Sequence, residues 1–481
     1  MAEIRVDVAI LGAGTAGLAA FRAAREEGAR AMMIDGGELG TTCARVGCMP
    51  SKLLIAAANA AHAAAPGTGR LDTFGIRLDA PLRIDGPAVL QRVRAERDRF
   101  AGQIRQEMEH FPNGSLLRGY ARFTAPGRLA VGRDTVVARA CVIATGARPS
   151  VPPLYADLGE LLATSDTLFE WPDLPTRVAV VGTGLIALEL GQALARLGVA
   201  VTMIGHSGSI ASLSDPEVTA RAAALLDRAF TLYAKAEVLS VERHGAEARL
   251  RWRTADGTIH DGAFERVLVA TGRRPVVSDL GLDAAGLALD EHGMPCFDRG
   301  TLRCGEAPVF VAGDVTGERP WLNDAANEGR IAGSNAARWP QDEAPERPVA
   351  LSVVFSDPQI LLVGQHFEDL DAERIVIGQA AFEEQGRSRV EQVNQGLLRL
   401  YVARDDHRLL GAEGIAPHGE HLAHLLGWAV QAGLCVEQCL TMPFYHPVFE
   451  EAVRTALRDA MRQLVELTGC GQPKLADAIG T

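Results

Sequence analysis

Two glycine-spaced segments, each set between an apolar β-type run and a helical run, constrain this chain more than any other feature. The first follows Ile4 to Leu11 and reads Gly12-Ala13-Gly14-Thr15-Ala16-Gly17. The second follows Val178 to Val181 and reads Gly182-Thr183-Gly184-Leu185-Ile186-Ala187. In a strand, tight turn and helix, the first position permits the turn and the second lets a pyrophosphate approach the backbone; the third sets how closely the helix packs. Each unit goes on to a second strand, Ala31 to Ile34 and Val199 to Ile204, and Asp35 closes the first where an acid should hold a ribose hydroxyl. One glycine fingerprint is weak evidence. Two in matching context predict two dinucleotide domains. Ala144-Thr145-Gly146 and Ala270-Thr271-Gly272, each ending an apolar strand, are two further echoes of a duplicated design.

A chain of 481 residues is too long for one core and predicts three or four domains. With 47% hydrophobic and 22% charged residues it is globular, and a net charge of −12 argues against a broad nucleic-acid or anionic-membrane surface. Glu3, Arg5 and Asp7 are unlike a secretory signal. No apolar run reaches the roughly 18 residues that span a membrane. Eight cysteines are too sparse for a disulfide scaffold, which points to a reducing cytoplasm where any redox pair would be catalytic. From about residue 346 the chain turns to β-rich segments, Leu351 to Phe355 and Leu397 to Val402, then to helical patterns over 421–433 and 448–467. Proline-rich or polar stretches at 148–153 and 340–348 mark boundaries.

The chemistry is concentrated in Gly40-Thr41-Thr42-Cys43-Ala44-Arg45-Val46-Gly47-Cys48-Met49-Pro50-Ser51-Lys52. Bridging two cysteines needs Cα atoms within about 7 Å. Five steps along an ideal helix leave them too far apart and on different faces, so the segment must depart from a helix, with Gly47 and Pro50 supplying freedom and interruption. The start of a following helix would then favour a thiolate.

This stretch resembles the active-site signature of the flavin-dependent pyridine nucleotide-disulphide oxidoreductases, the family of dihydrolipoamide dehydrogenase, glutathione reductase and mercuric reductase. Thr41 replaces a usual glycine, and Ala44-Arg45 replaces the usual Leu/Val-Asn. The resemblance extends in order along the chain to Gly313-Asp314 after the apolar run from Val309, and to Tyr445-His446-Pro447-Val448-Phe449-Glu450-Glu451. It implies an α/β fold with two Rossmann-like domains, for FAD and NAD(P), plus a C-terminal α+β dimerisation domain. The expected division is 1–150 (FAD, first part), 151–272 (NAD(P)), 273–345 (central, completing the FAD site) and 346–481 (interface).

Carried over residue by residue, Cys43 is the thiol facing substrate and Cys48 the one against the flavin. His446 is the acid-base group, held by Glu451, which the five-residue spacing selects over Glu450. Lys52 and Glu189 form a pair beside the flavin. Gly12, Gly14, Gly17, Asp35, Thr42, Ala121, Thr145, Gly146, Gly313, Asp314 and Ala325 join Lys52 around FAD. Gly182, Gly184, Ala187, Gly205, His206 and Gly272 fall to the nicotinamide nucleotide. The resemblance implies a homodimer whose active site is shared between subunits.

Leu185 is similar to the aliphatic residue of dihydrolipoamide dehydrogenases, and mercuric reductases end in a vicinal cysteine pair where this chain has only Cys470. The expected reaction is therefore oxidation of dihydrolipoamide by NAD⁺, with a lipoyl domain of a 2-oxoacid dehydrogenase or glycine-cleavage system as partner. An NADPH-dependent disulfide or metal-ion reductase is the first alternative, because Ile204-Gly205-His206 lacks the acid an NAD enzyme presents. A low-turnover flavin-binding redox sensor is the second. Cys435 with Cys439 and His421 with His424 have helical spacings but no third ligand in register, so no metal site is expected. Cys141, Cys296 and Cys304 are read as core or incidental.

Overall fold

The computed structural model describes residues 2–65, 70–77 and 81–468. Strand β1 (Glu3–Leu11) is buried from Val8 onward and ends at Gly12, where the chain turns into α1 (Thr15–Glu26). β2 (Ala31–Asp35) returns parallel to it, Val8 facing Ala31 and Leu11 facing Ile34. The chain then makes α2 (Thr42–Arg45), α3 (Cys48–Ala64), α4 (Arg70–Thr73) and the long α5 (Gly86–Glu109) before β3 (Leu116–Arg118) pairs beside β2. A meander of β4 (Ala121–Ala125), β5 (Arg128–Val131) and β6 (Asp134–Ile143) closes onto β1 through its last, parallel strand.

After β7 (Ala147–Pro149) comes a second parallel sheet. It contains β8 (Leu162–Ala163), β9 (Arg177–Val181), β10 (Ala200–Ile204) and β11 (Thr231–Tyr233), with α6 (Leu185–Arg196) and α7 (Pro216–Leu226) between them. An antiparallel meander, β12 (Ala236–His244), β13 (Glu247–Thr254) and β14 (Ile259–Phe264), precedes β15 (Arg266–Val269), which pairs with β9. β16 (Arg273–Pro275) then lies antiparallel on β7, Arg274 opposite Arg148. β17 (Val309–Val311) rejoins the first sheet on β6 and leads into α8 (Leu322–Arg338). The last unit is an antiparallel sheet of β18 (Leu351–Val354), β19 (Gln359–Gly364), β20 (Ile375–Ala381), β21 (Leu397–Ala403) and β22 (Leu409–Ala416). Helices α9 (Gly386–Val390), α10 (Gly419–Gln431), α11 (Val436–Thr441) and α12 (Glu451–Thr468) accompany it, and α10 and α12 bury apolar faces against it.

The expected duplication is visible bond by bond. Gly12 N–H donates to Ile34 O and Gly182 N–H to Ile204 O, both at 2.8 Å; Ala144 N–H reaches Leu11 O at 2.9 Å and Ala270 N–H reaches Val181 O at 2.8 Å. A Cβ on Gly12 would stand 2.3 Å from Ala144 O, and one on Gly182 2.4 Å from Ala270 O, so side chains are excluded at both turns for the same reason. The two crossing segments are held by matching bonds: Thr145 Oγ1 donates to Val276 O at 2.7 Å and Thr271 Oγ1 to Ser150 O at 2.9 Å. These equivalences make Asp35 and Gly205 the same position in the two units.

Helices α1 and α8 pack backbone to backbone. A Cβ on Gly329 would lie 2.2 Å from Ala16 O, and one on Gly333 2.3 Å from Ala20 O. Neither helix can yield without moving the turn that starts α1. Gly329→Ala or Gly333→Ala is therefore expected to lower stability by about 1–3 kcal/mol, read as a fall in the denaturant midpoint. An unchanged midpoint would mean that the helices separate at no cost.

Candidate active site

The cysteine segment breaks where the sequence requires a break. Cys43 lies in the single turn of α2, the chain leaves helical geometry at Val46 and Gly47, and Cys48 opens α3. A Cβ on Gly47 would stand 3.1 Å from Cys43 Cα, so the absent side chain lets the backbone fold back on the first cysteine. Thr41 has φ +59°, in the region that favours glycine, and it offsets part of that strain by accepting a bond from Ala44 N–H at 3.3 Å. Arg45 turns outward to Glu38, with 2.7 Å to its carboxylate and 3.0 Å to its carbonyl.

Cys43 and Cys48 stand as two unbonded thiols, the first half-buried and the second exposed. The Cys43 thiol donates to the Cys48 sulfur. That bond, with the Lys52 ammonium and the helix-start N–H of Cys48 itself, outweighs burial and the Glu189 charge and brings Cys48 down to about 7. Cys43 is pushed upward by the same hydrogen bond, by burial and by the charge on Cys48. The pair thus carries one easily formed thiolate, at Cys48.

Lys52 follows Cys48 by one helical turn on the same face. Its Nζ lies 2.7 and 2.9 Å from the two carboxylate oxygens of Glu189 on α6. Glu189 is only 2% exposed and also accepts Phe355 N–H at 3.0 Å, while Lys52 sits 4.6 Å from the Phe355 ring centre. Phe355 has no sequence signal.

The first unit fits FAD on its own geometry. The N-terminus of α1 has no side-chain cap, and the space beside Gly14 is open, which leaves backbone N–H groups free for a pyrophosphate. Asp35 accepts Ala13 N–H and Gly37 N–H, each at 2.7 Å, fixing its carboxylate at the carboxyl edge of the sheet. Ala121 begins β4, and Thr42 begins α2 beside Cys43. Gly313 N–H is bonded at 2.8 Å by buried Glu328, which also pairs with Arg347; Ala325 packs against Gly313. Burial raises the carboxyl of Asp314, with Arg273 and its own backbone N–H opposing. In the second unit the open space beside Gly184 repeats that beside Gly14, Ala187 is fully buried and His206 is exposed.

In the C-terminal unit His446 Nδ1 lies 3.1 Å from Glu451 Oε2. Glu451 is fixed by Val448 N–H at 3.3 Å and by Arg454 at 3.1 Å, and Gln385 donates to Val448 O at 2.7 Å. Arg454, one helical turn from Glu451, was within reach of sequence reasoning; Gln385 was not. Glu450 does not enter this cluster. His421 and His424 lie on α10, Cys435 caps α11 and Cys439 is buried within it. No three potential metal ligands converge among the described residues, and no helix there is long and apolar enough to cross a membrane. Cys470 lies outside the described residues.

The hydrogen bond from Cys43 is the largest influence lowering Cys48. In the reduced protein, iodoacetamide labelling of Cys48 should therefore rise through a midpoint about 7, and Cys43→Ala should move that midpoint up toward the ordinary thiol value of 9.0. A midpoint unmoved by the substitution would assign the effect to Lys52 and the helix start.

Comparison with known proteins agrees with this geometry. Residues 6–332 match the family model described as pyridine nucleotide-disulphide oxidoreductase, and residues 350–457 match the dimerisation domain of that family. The chain is 30% identical to a mercuric reductase of Shigella flexneri, over 96% of this chain and 82% of the relative. It is 29% identical to a dihydrolipoyl dehydrogenase of Haloferax volcanii, over 95% and 97%. The HOCl-induced flavoprotein disulfide reductase RclA of Escherichia coli shares the fold with a TM-score of 0.78 at 22% identity, over 94% of this chain and 99% of that one. The chain belongs to the pyridine nucleotide-disulphide oxidoreductases, FAD-dependent homodimeric enzymes that use NAD(P)(H).

Proposed function

We propose that this enzyme oxidises a small dithiol of the dihydrolipoamide class, with Cys43 and Cys48 as the exchanging pair, His446 as acid-base group and NAD⁺ as acceptor. The observation that carries the reading is the His446–Glu451 contact of 3.1 Å. A dithiol must lose a proton before it attacks, whereas a metal ion has none to give. With Nδ1 turned to the carboxylate, Nε2 is left to take that proton. This favours a thiol substrate over the metal-ion chemistry named for the mercuric reductase relatives.

In the proposed sequence the substrate thiolate attacks Cys43 of the oxidised pair, and Cys48 leaves as a thiolate. The Lys52 ammonium and the helix-start N–H stabilise the departing Cys48 thiolate. The second substrate thiol then displaces Cys43, giving the cyclic disulfide and a fully reduced pair. FAD, when bound, supplies the two-electron chemistry between that pair and the nicotinamide. Lys52, held by Glu189, would present its side-chain nitrogen to the flavin. His446 is 66% exposed in a single chain, which supports a site completed across the dimer. The domain division 1–150, 151–272, 273–345 and 346–481, a lipoyl-domain partner and a cytoplasmic setting belong to the same proposal.

A second reading, reduction of a disulfide or metal ion by NADPH, is favoured by one observation: Gly205 stands where the first unit has Asp35.

The test is the initial rate of NAD⁺ reduction by dihydrolipoamide. His446→Ala should lower it by about 10²–10⁴-fold, with flavin reduction by NADH unchanged. Glu451→Gln should give a smaller loss. Full dithiol turnover in His446→Ala would refute the assigned role, and failure of the wild-type protein to turn over the dithiol with either nucleotide would refute the substrate class.

A further inference from the structure

The short segment from His446 to Glu451 carries both members of the acid-base dyad, and one peptide in its middle is pinned from two sides. Val448 N–H donates to Glu451 Oε2 at 3.3 Å, the same oxygen that lies 3.1 Å from His446 Nδ1. Its carbonyl accepts Gln385 Nε2 at 2.7 Å. Val448 stands two residues after His446 and three before Glu451, so a group that holds this peptide holds both ends of the dyad. Arg454 binds Glu451 Oε1 and lies over the Phe444 ring, but it travels with the carboxylate on α12. Phe449 packs on the His418 ring at 4.5 Å, and His418 faces Glu391 at 3.5 Å. Among the described residues, Gln385 is the one side chain from another element that hydrogen-bonds the backbone of this segment.

Gln385 does two things at once. It caps α9, where its Oε1 accepts Ser388 N–H at 2.7 Å and the Ser388 hydroxyl at 2.8 Å. A cap of this kind is ordinarily a short Ser, Thr, Asp or Asn. Ser, Thr and Asp have no amide donor to offer Val448, and Asn is one methylene shorter. Glutamine satisfies the helix start with its oxygen and reaches Val448 with its nitrogen. The two bonds also fix which way the amide faces, because a backbone N–H needs the oxygen and a carbonyl needs the NH₂.

The loop that carries Gln385 is itself held. Phe382 is fully buried, Gln385 N–H donates to Phe382 O at 3.2 Å, and Val393 N–H donates to Ser388 O at 2.9 Å. Asn394 Nδ2 reaches Glu383 O at 3.0 Å. Glu383 pairs with Arg221 on α7, and Arg228 Nη1 lies 3.3 Å from Gln395 Oε1, so the loop is tied to the second nucleotide unit as well.

We propose that Gln385 is a positioning residue for the dithiol step: through Val448 it holds the Glu451 carboxylate and the His446 imidazole in register. The proposal rests on the acid-base role given to His446 above.

The experiment compares the FAD-loaded wild-type protein with Gln385→Asn in the initial rate of NAD⁺ reduction by dihydrolipoamide, from about pH 7 to about pH 10. Asparagine keeps a capping oxygen and loses the reach to Val448. At about pH 7, kcat should fall by about 10–100-fold, with the KM for NAD⁺ and flavin reduction by NADH unchanged. The deficit should shrink as pH rises, because a substrate thiol that ionises by itself needs the base less. A residue that only supported the fold would lower both half-reactions alike and gain nothing from alkali. Gln385→Glu keeps the length and the capping oxygen but sets a carboxylate oxygen against Val448 O; it should show the same alkali-rescued loss, and it serves if the first variant does not fold. Full dithiol turnover in the folded variant at about pH 7, or a loss of the same size across the pH range, would overturn the positioning role and leave the substrate reading intact. A wild-type protein that oxidises no dithiol would overturn both.

Discussion

Glu189 ties together three parts of the chain at one buried carboxylate, and α6 adds polar contacts from Gln192 and Arg196 to Asp357 and from Arg196 to Asn59. Its carboxylate belongs to the helix of the second nucleotide unit, grips Lys52 from the cysteine helix of the first, and receives the N–H of Phe355 from the start of the C-terminal sheet. A carboxylate 2% exposed is costly unless its bonds are complete, so the three units hold one arrangement. Cys48, one turn before Lys52, is fixed by that arrangement, and the cation that helps to stabilise its thiolate is fixed with it. Removing Glu189 would free Lys52 to move and take from the Phe355 N–H its carboxylate partner.

The two nucleotide units share a backbone and differ in the electrostatics of their edges. Gly12 and Gly182 turn against equivalent carbonyls, and the crossings at Thr145 and Thr271 are bonded alike. One unit places an acid at the edge of its second strand; in the other, Thr183 and the Ala234 carbonyl crowd the Gly205 position. Ala13 with Asp35 in the first unit becomes Thr183 with Gly205 in the second, which leaves the second edge without that carboxylate.

Much of this was legible in the sequence where the determinants are local. The fingerprints, the broken helix between Cys43 and Cys48 and the five-residue step from His446 to Glu451 each lie within a short stretch, and backbone geometry follows from residue type there. The Lys52–Glu189 pair spans 137 positions, and only the family resemblance joined them. Phe355 N–H and Gln385 were invisible because a backbone donor or a loop glutamine carries no pattern. The missing acid at Gly205 was noticed, but the crowding there was not: Thr183 and the Ala234 carbonyl close on that position only once the sheet is folded.

The central claim is that Cys43 and Cys48 form the exchanging pair. Differential alkylation with mass spectrometry, on the air-oxidised protein and again after anaerobic reduction with an excess of dithiol, tests it most directly. The account predicts two thiols that become reactive only on reduction, both in the peptide carrying Cys43 and Cys48, with Cys141, Cys296, Cys304, Cys435 and Cys439 unchanged. Cys43 and Cys48 labelled equally in both states, or a pair appearing elsewhere, would contradict it.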